Sequence, residues 1–236
     1  MPLQYCSGGD VLKPVLVIDC YVEGDGSKNF RRLLDERPIT VWRPMDMMQP
    51  PDLDGVAAVM ISGSAACVTD PVPWMGPLVE AIQSAQKRDI PILGICFGHQ
   101  IVAHAIFGEG TVRKAQTPEI GWKDIVITGV DPLFGDELNN FSTFVSHFDE
   151  VRPEVQGMTT FAQTKDCSVH AYRVDGARTW GVQFHAEMEQ REAEELSVIR
   201  IEGRPDLGLD VTETLSKSKD SSALARHLFR NFLSVR

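Results

Sequence analysis

The sequence predicts an α/β fold, a mostly parallel open sheet with helices on both faces. Two observations carry this. Residues 15–18, 39–42, 56–61 and 90–95 are short apolar runs of β-branched character, the mark of strands buried on both faces. Between them, apolar residues recur at helical spacing, as in Phe30, Leu33 and Leu34, and again in Leu78, Val79, Ile82 and Ala85. Strand and helix alternating in this way build βαβ units and a parallel sheet, whose ligands bind at the carboxyl ends of the strands.

Taken in order, residues 1–12 are polar and read as a loose leader, with a single domain expected over 13–236. The first strand ends at Asp19, which has no role assignable from sequence. Ser27 is placed to cap a helix running to about residue 36, and Pro38 stops it. The second and third strands follow, and Ser62-Gly63-Ser64 lies at the carboxyl end of the third. A helix is expected over 74–87, and the fourth strand then delivers Cys96. After Phe107 the pattern changes to short runs at 111–113, 125–128, 141–145, 160–162, 169–172 and 180–184. They read as a small antiparallel sheet and a return to the main one. A short helix is expected from Asp131, a longer one over 188–199, a loop over 203–208, and a last amphipathic helix capped by Ser221 or Ser222.

Composition narrows the function. The 236 residues carry a formal net charge of -10, which disfavours a non-specific binder of nucleic acid or anionic membranes. The first ten residues lack the basic and apolar regions of a signal peptide. No apolar run reaches the roughly 18 residues of a membrane span. Cys6, Cys20, Cys67, Cys96 and Cys167 are odd in number, widely spaced and without a CxxC pair, so neither a disulfide framework nor a zinc site is read from them. The expectation is a cytoplasmic protein with no metal and no cofactor.

Chemistry concentrates in Leu93-Gly94-Ile95-Cys96-Phe97-Gly98-His99-Gln100. Strand, tight turn and helix with a nucleophile at the turn is the context of the nucleophile elbow, here with sulfur. The positive end of the following helix would stabilise a thiolate. The plain alternative is a buried structural cysteine. A cysteine nucleophile needs a base and a group to orient it. Gln183-Phe184-His185-Ala186-Glu187 offers both, because His185 and Glu187 project to the same side of extended backbone.

Together these motifs resemble the class I glutamine amidotransferases, the Cys-His-Glu glutaminase family. Ile61-Ser62-Gly63-Ser64, Glu119-Ile120-Gly121-Trp122 and Ser146-His147-Phe148-Asp149-Glu150-Val151 match as well, in the family's order. The chain is most similar to stand-alone members related to the glutaminase domain of GMP synthase and to γ-glutamyl peptidases. The resemblance implies the flavodoxin-like fold of that family. It implies that Cys96 attacks the side-chain amide of glutamine, that His185 moves the proton and that Glu187 orients His185. It places the oxyanion hole at Gly63, Ser64 and Phe97, and substrate contacts at Gln100, Ser146, His147 and Phe148.

Three departures from the family's pattern stand out. Gly63-Ser64-Ala65 replaces a Gly-Gly-Pro, so a positive φ at Ser64 would be strained. Ala186 replaces a proline. No synthetase domain follows, so an ammonia acceptor would be held by a synthetase partner. Three functions are carried forward. The first is glutamine hydrolysis with ammonia transfer. The second is a γ-glutamyl peptidase or transferase using the same triad on a small γ-glutamyl conjugate. The third is a catalytically silent regulatory subunit. His99, His104 and His170 are read as packed residues, His170 without a ligand-like partner.

Overall fold

The computed structural model describes residues 12–70, 72–136 and 138–235. The expected leader therefore lies outside the described residues, apart from Leu12. The first half is the expected βαβ series: β1 (Val15–Ile18), α1 (Ser27–Leu33), β2 (Ile39–Trp42), β3 (Ala58–Ile61), α2 (Met75–Lys87), β4 (Ile92–Ile95) and α3 (Phe97–Phe107). The second half holds β5 (Val112–Ile127), β6 (Phe141–Val151), β7 (Met158–Gln163), β8 (Ala171–Val174) and β9 (Thr179–Val182). It closes with α4 (Gln190–Glu202), α5 (Val211–Ser216) and α6 (Ser222–Ser234).

The nine described strands join one mixed sheet in the order β2-β1-β3-β4-β9-β8-β7-β5-β6. The members from β2 to β9 pair parallel, and those from β9 to β6 pair antiparallel. The antiparallel strands thus extend the main sheet. Alternation within each parallel strand divides the core into two layers. Val15, Val17, Leu93 and Ile95 pack with Phe30 and Leu33 of α1 and with Leu228, Phe229 and Phe232 of α6. Leu16, Ile18, Val59 and Ile61 pack with Leu78 and Ile82 of α2 and Ile101 of α3. Strands covered on both faces need apolar residues at every position, which is why their runs are unbroken.

The structure departs from the sequence reading in several places. Ser27 is the first helical residue, not the cap; its N–H and hydroxyl both donate to Asp25 Oδ1. The runs at 111–113 and 125–128 are the two ends of one strand, β5, whose register against β6 shifts between Lys114 and Glu119. The shift interrupts the pairing, so no single alternating period runs through the strand. β6 likewise continues through Ser146–Phe148 to Val151. Residues 132–134 form a turn, and α5 was missed, being only six residues long. Gly121 of β5 has φ +99°, and a Cβ there would meet Thr214 Cγ2 of α5 at 2.5 Å. Close docking of that short helix is what requires glycine in the Gly121-Trp122 pair. Among the described residues, no helix is long and apolar enough to cross a membrane.

Candidate active site

Strand order assembles the site. β4 lies between β3 and β9, all three parallel. The loop after β3 carries Gly63 and Ser64, the turn after β4 carries Cys96, and the segment after β9 carries His185 and Glu187. Three stretches distant in sequence therefore meet at one carboxyl edge of the sheet.

Cys96 sits at φ 53° and ψ -104°, between β4 and the first residue of α3. This is a strained backbone for a residue with a side chain, of the kind that clusters at functional sites. Two flanking glycines make the turn possible. A Cβ on Gly94 would lie 2.3 Å from Gly98 O, and one on Gly98 would lie 2.4 Å from Ile61 O. The Cys96 N–H donates to Val182 O at 2.8 Å, pinning the elbow to β9. Cys96 Sγ contacts the Ser146 carbonyl oxygen at 3.6 Å.

His185 is held from both sides. Its N–H donates to Phe144 O, and its Nδ1 is 2.8 Å from Glu187 Oε1. Nδ1 is the donor in that pair, which leaves Nε2 available. Gly63 lies against the side chains of both His185 and Cys96. A Cβ there would meet His185 Cε1 at 2.7 Å, His185 Nε2 at 3.6 Å and Cys96 Cβ at 3.7 Å. Burial disfavours the charged imidazole, but the Glu187 carboxylate and the Cys96 sulfur outweigh it and raise the His185 pKa well above its ordinary value. Burial instead pushes the His99 ring down to about 3, which leaves it neutral and unsuited to share charge with the elbow.

The expected oxyanion donors flank this pair. Phe97 opens α3, so its N–H has no carbonyl four residues earlier in the helix. Among the described residues, no protein acceptor takes the Ser64 N–H. The feared strain at Ser64 is absent, since the non-glycine residues described with positive φ are Asp35, Asp89 and Cys96. Ser64 Oγ accepts from Ala66 N–H and steadies the loop.

A cavity of about 30 Å³ lies beside Cys96, lined by Ser64, Phe97, Gln100, Ser146, His147 and Phe148 among others. All the expected oxyanion and substrate residues except Gly63 thus border it. Gln100 Nε2 is already committed to Asp149 O and Gln183 Oε1. The ring nitrogens of His147 turn to Asp149 O and Glu119 Oε2. His170, read from sequence as lacking a ligand-like partner, has one: its Nε2 is 2.8 Å from Glu119 Oε2.

Arg200 was missed. It lies one residue past the expected end of its helix, and nothing in sequence spacing links it to Cys96. It borders the small cavity and two larger ones, of about 590 and 640 Å³. Its Nε is buried with no partner among the described residues. Arg200 and Arg204 stand over the Phe148 ring at 5.8 and 5.0 Å. Asp19 also gains a place. Its carboxylate accepts from Tyr21 N–H, Gly26 N–H and Arg43, anchoring the loop whose Tyr21 and Glu23 wall the 590 Å³ cavity.

Comparison with known proteins gives a consistent picture. The family model described as glutamine amidotransferase class-I matches residues 16–199. GMP synthase [glutamine-hydrolyzing] of Porphyromonas gingivalis is 32% identical over 144 residues, 61% of this chain and 27% of that protein. The chain thus spans about a quarter of that relative's length. A relative from Saccharolobus solfataricus, one subunit of GMP synthase [glutamine-hydrolyzing], is 32% identical over 136 residues, 57% of this chain and 69% of that protein. A crystal structure of a glutamine amido transferase from Methylobacillus flagellatus superposes with a TM-score of 0.78 at 24% identity, covering 94% of each chain.

Proposed function

Because the chain belongs to the class-I glutamine amidotransferase family, we propose that it hydrolyses the side-chain amide of glutamine through a thioester on Cys96. The observation that carries this reading is the meeting of Cys96, His185 and Glu187 at one carboxyl edge of the sheet, with Glu187 2.8 Å behind the imidazole. In the first half-reaction Cys96 Sγ passes its proton to His185 Nε2 and forms a bond to the amide carbon, whose carbonyl electron pair moves onto oxygen. The Ser64 and Phe97 N–H groups receive the oxyanion. The carbon–nitrogen bond breaks as His185 gives its proton to departing ammonia. In the second half, water adds to the thioester and its proton passes to His185. The carbon–sulfur bond then breaks and glutamate leaves.

The walls of the cavity suit an amino acid. The Arg200 guanidinium is placed for the substrate carboxylate, and Gln100 retains its carbonyl oxygen as an acceptor. The Ser146–Phe148 backbone would flank the bound chain. The Saccharolobus solfataricus relative is by its name one part of a larger GMP synthase assembly. By that likeness ammonia passes to an acceptor on a synthetase partner in the cytoplasm.

One observation favours a second reading. The small cavity shares Arg200 with neighbouring spaces of about 590 and 640 Å³, more room than glutamine fills. A γ-glutamyl peptide or conjugate would extend there, its leaving group an amine other than ammonia. The third reading, a silent regulatory chain, is disfavoured because all three reacting side chains are present and aligned. Turnover of glutamine and of a panel of γ-glutamyl amides and dipeptides, compared by kcat/KM, separates the readings. Glutamate release from glutamine, lost in Cys96→Ala, is the expected result. Preference for the dipeptides replaces the first reading with the second, and activity surviving in Cys96→Ala refutes both.

A further inference from the structure

Behind the strand that flanks Cys96, four buried side chains converge. Glu119, His147, Cys167 and His170 offer ligand atoms that all lie within 4.8 Å of one another. None is more than 2% exposed. Glu119 on β5 is the register partner of His147 on β6. Cys167 and His170 come from the connection between β7 and β8. A tight turn shapes that connection, where Thr164 Oγ1 accepts from Cys167 N–H at 3.0 Å.

Hydrogen bonding within the cluster does not close. His147 Nδ1 faces the Asp149 carbonyl at 3.0 Å. A carbonyl can only accept, so Nδ1 carries a proton, and the Nε2 of a neutral ring is then a bare lone pair. Unless the ring takes a second proton, that lone pair points at Glu119 Oε2, 2.9 Å away. His170 Nε2 meets the same oxygen at 2.8 Å. Meanwhile Glu119 Oε1 and His170 Nδ1 are buried without a partner among the described residues. A lone pair aimed at a carboxylate oxygen, beside an unpartnered second oxygen and a thiol, is an arrangement that a shared cation relieves.

We propose that Glu119, His147, Cys167 and His170 bind one divalent transition-metal cation, zinc by the chemistry of the donors, as a closed structural site. Two imidazoles, one thiolate and one carboxylate fill a tetrahedral zinc shell and leave no open position. Zinc holds such donors at about 2.0–2.3 Å, so its ligand atoms stand roughly 3.3–3.8 Å apart. Small side-chain rotations bring the cluster to that spacing, with the two contacts to Glu119 lengthening and Oε1 free to turn in. Binding forms a Zn–S bond and releases the Cys167 thiol proton to solvent. The Asp149 carbonyl already fixes the His147 tautomer that presents Nε2, the device that orients metal-bound histidines.

The same carbonyl accepts from Gln100 Nε2, and the residue before His147 is Ser146, whose carbonyl touches Cys96 Sγ. The ion would therefore lock β5, β6 and the β7–β8 connection directly behind the catalytic elbow. Cysteine spacing gives no sign of this set, because the chain holds no CxxC and Glu119 and His170 alone stand 51 residues apart. The proposal stands apart from the glutaminase reading, since such a site would hold whichever amide is cleaved.

The test is metal content and spectroscopy on the full chain. Protein produced with zinc in the medium is dialysed against metal-free buffer and assayed by elemental mass spectrometry. It is also refolded with Co²⁺ for absorption spectra. About one zinc per chain is expected, with tetrahedral cobalt bands and a thiolate-to-cobalt charge-transfer band. Cys167→Ser should lose the charge-transfer band, and His170→Gln and Glu119→Gln should lose most of the bound metal. Chelation should lower the melting temperature of wild type and leave that of His170→Gln unmoved. If His170→Gln fails to fold, the wild-type zinc content and cobalt spectrum alone decide. Folded wild-type chain that carries no zinc and gives no thiolate band overturns the proposal. So does metal retained equally by all three variants.

Discussion

Cys96 has an unusual backbone and a partner that keeps its charge. Glu187 raises the His185 pKa, and this gives a pH signature whose sign follows directly. In Glu187→Gln that support is gone, so His185 loses its proton at lower pH. A step that needs the protonated ring to expel ammonia then fails sooner as pH rises. The alkaline limb of kcat/KM for glutamine should move to lower pH in this variant, and an unmoved or upward-shifted limb would exclude the assigned role. Ser64 gives a contrasting expectation. Its proposed contribution is a backbone N–H, on a residue outside the positive-φ region, so Ser64→Ala should keep kcat within a few-fold of wild type. Losing an oxyanion donor outright typically costs about 10²–10³ in kcat, and a drop of that size in Ser64→Ala would mean the hydroxyl is the working group. At this scale the meeting of Cys96 with the His185–Glu187 pair was legible in the sequence, because Gly-x-Cys-x-Gly and His-x-Glu are local patterns. Arg200 and the Glu119 cluster were not, since their partners arrive only through folding.

The elbow works as an element, not as a residue. β4, the Cys96 turn and α3 approach β3 so closely that Gly94 and Gly98 have no room for a Cβ. Since the blocking atoms are backbone, the neighbours cannot simply rotate away. Gly94→Ala and Gly98→Ala should each destabilise the chain by at least about 1–3 kcal/mol, the usual range for overpacking. They should also lower activity by more than the loss of folded protein explains. Denaturant unfolding together with kcat on the folded fraction checks this, and wild-type stability in either variant would refute the packing argument. The parallel strands were readable because burial on both faces demands unbroken apolar runs. The joined β5 and extended β6 were not, because a register shift and polar inward residues such as Glu119 and His147 disguise the period. Ser146, just past the run of 141–145 read as a strand, lies inside β6. There the ladder holds its carbonyl against Cys96 Sγ.

Over the whole molecule, strand order does what no single segment could. Placing β4 between β3 and β9 brings the Gly63–Ser64 loop, Cys96 and the His185–Glu187 pair to one edge. The continuing antiparallel strands wall the cavity opposite. Helix α4 closes it and contributes Arg200 at the junction of the small cavity with the two large ones. Arg200→Gln should raise KM for glutamine by tenfold or more and leave kcat within a few-fold. A fall in kcat at constant KM would place Arg200 in the chemistry instead of in binding.

The central claim is that Cys96 is the nucleophile toward a γ-glutamyl carbonyl. Labelling with an electrophilic glutamine analogue, read by peptide mass spectrometry, tests it most directly. The account predicts one adduct on Cys96, blocked by excess glutamine or a γ-glutamyl dipeptide and greatly slowed in His185→Asn. Label on Cys67 or Cys20 in place of Cys96, or an adduct at Cys96 that neither ligand protects, would contradict it.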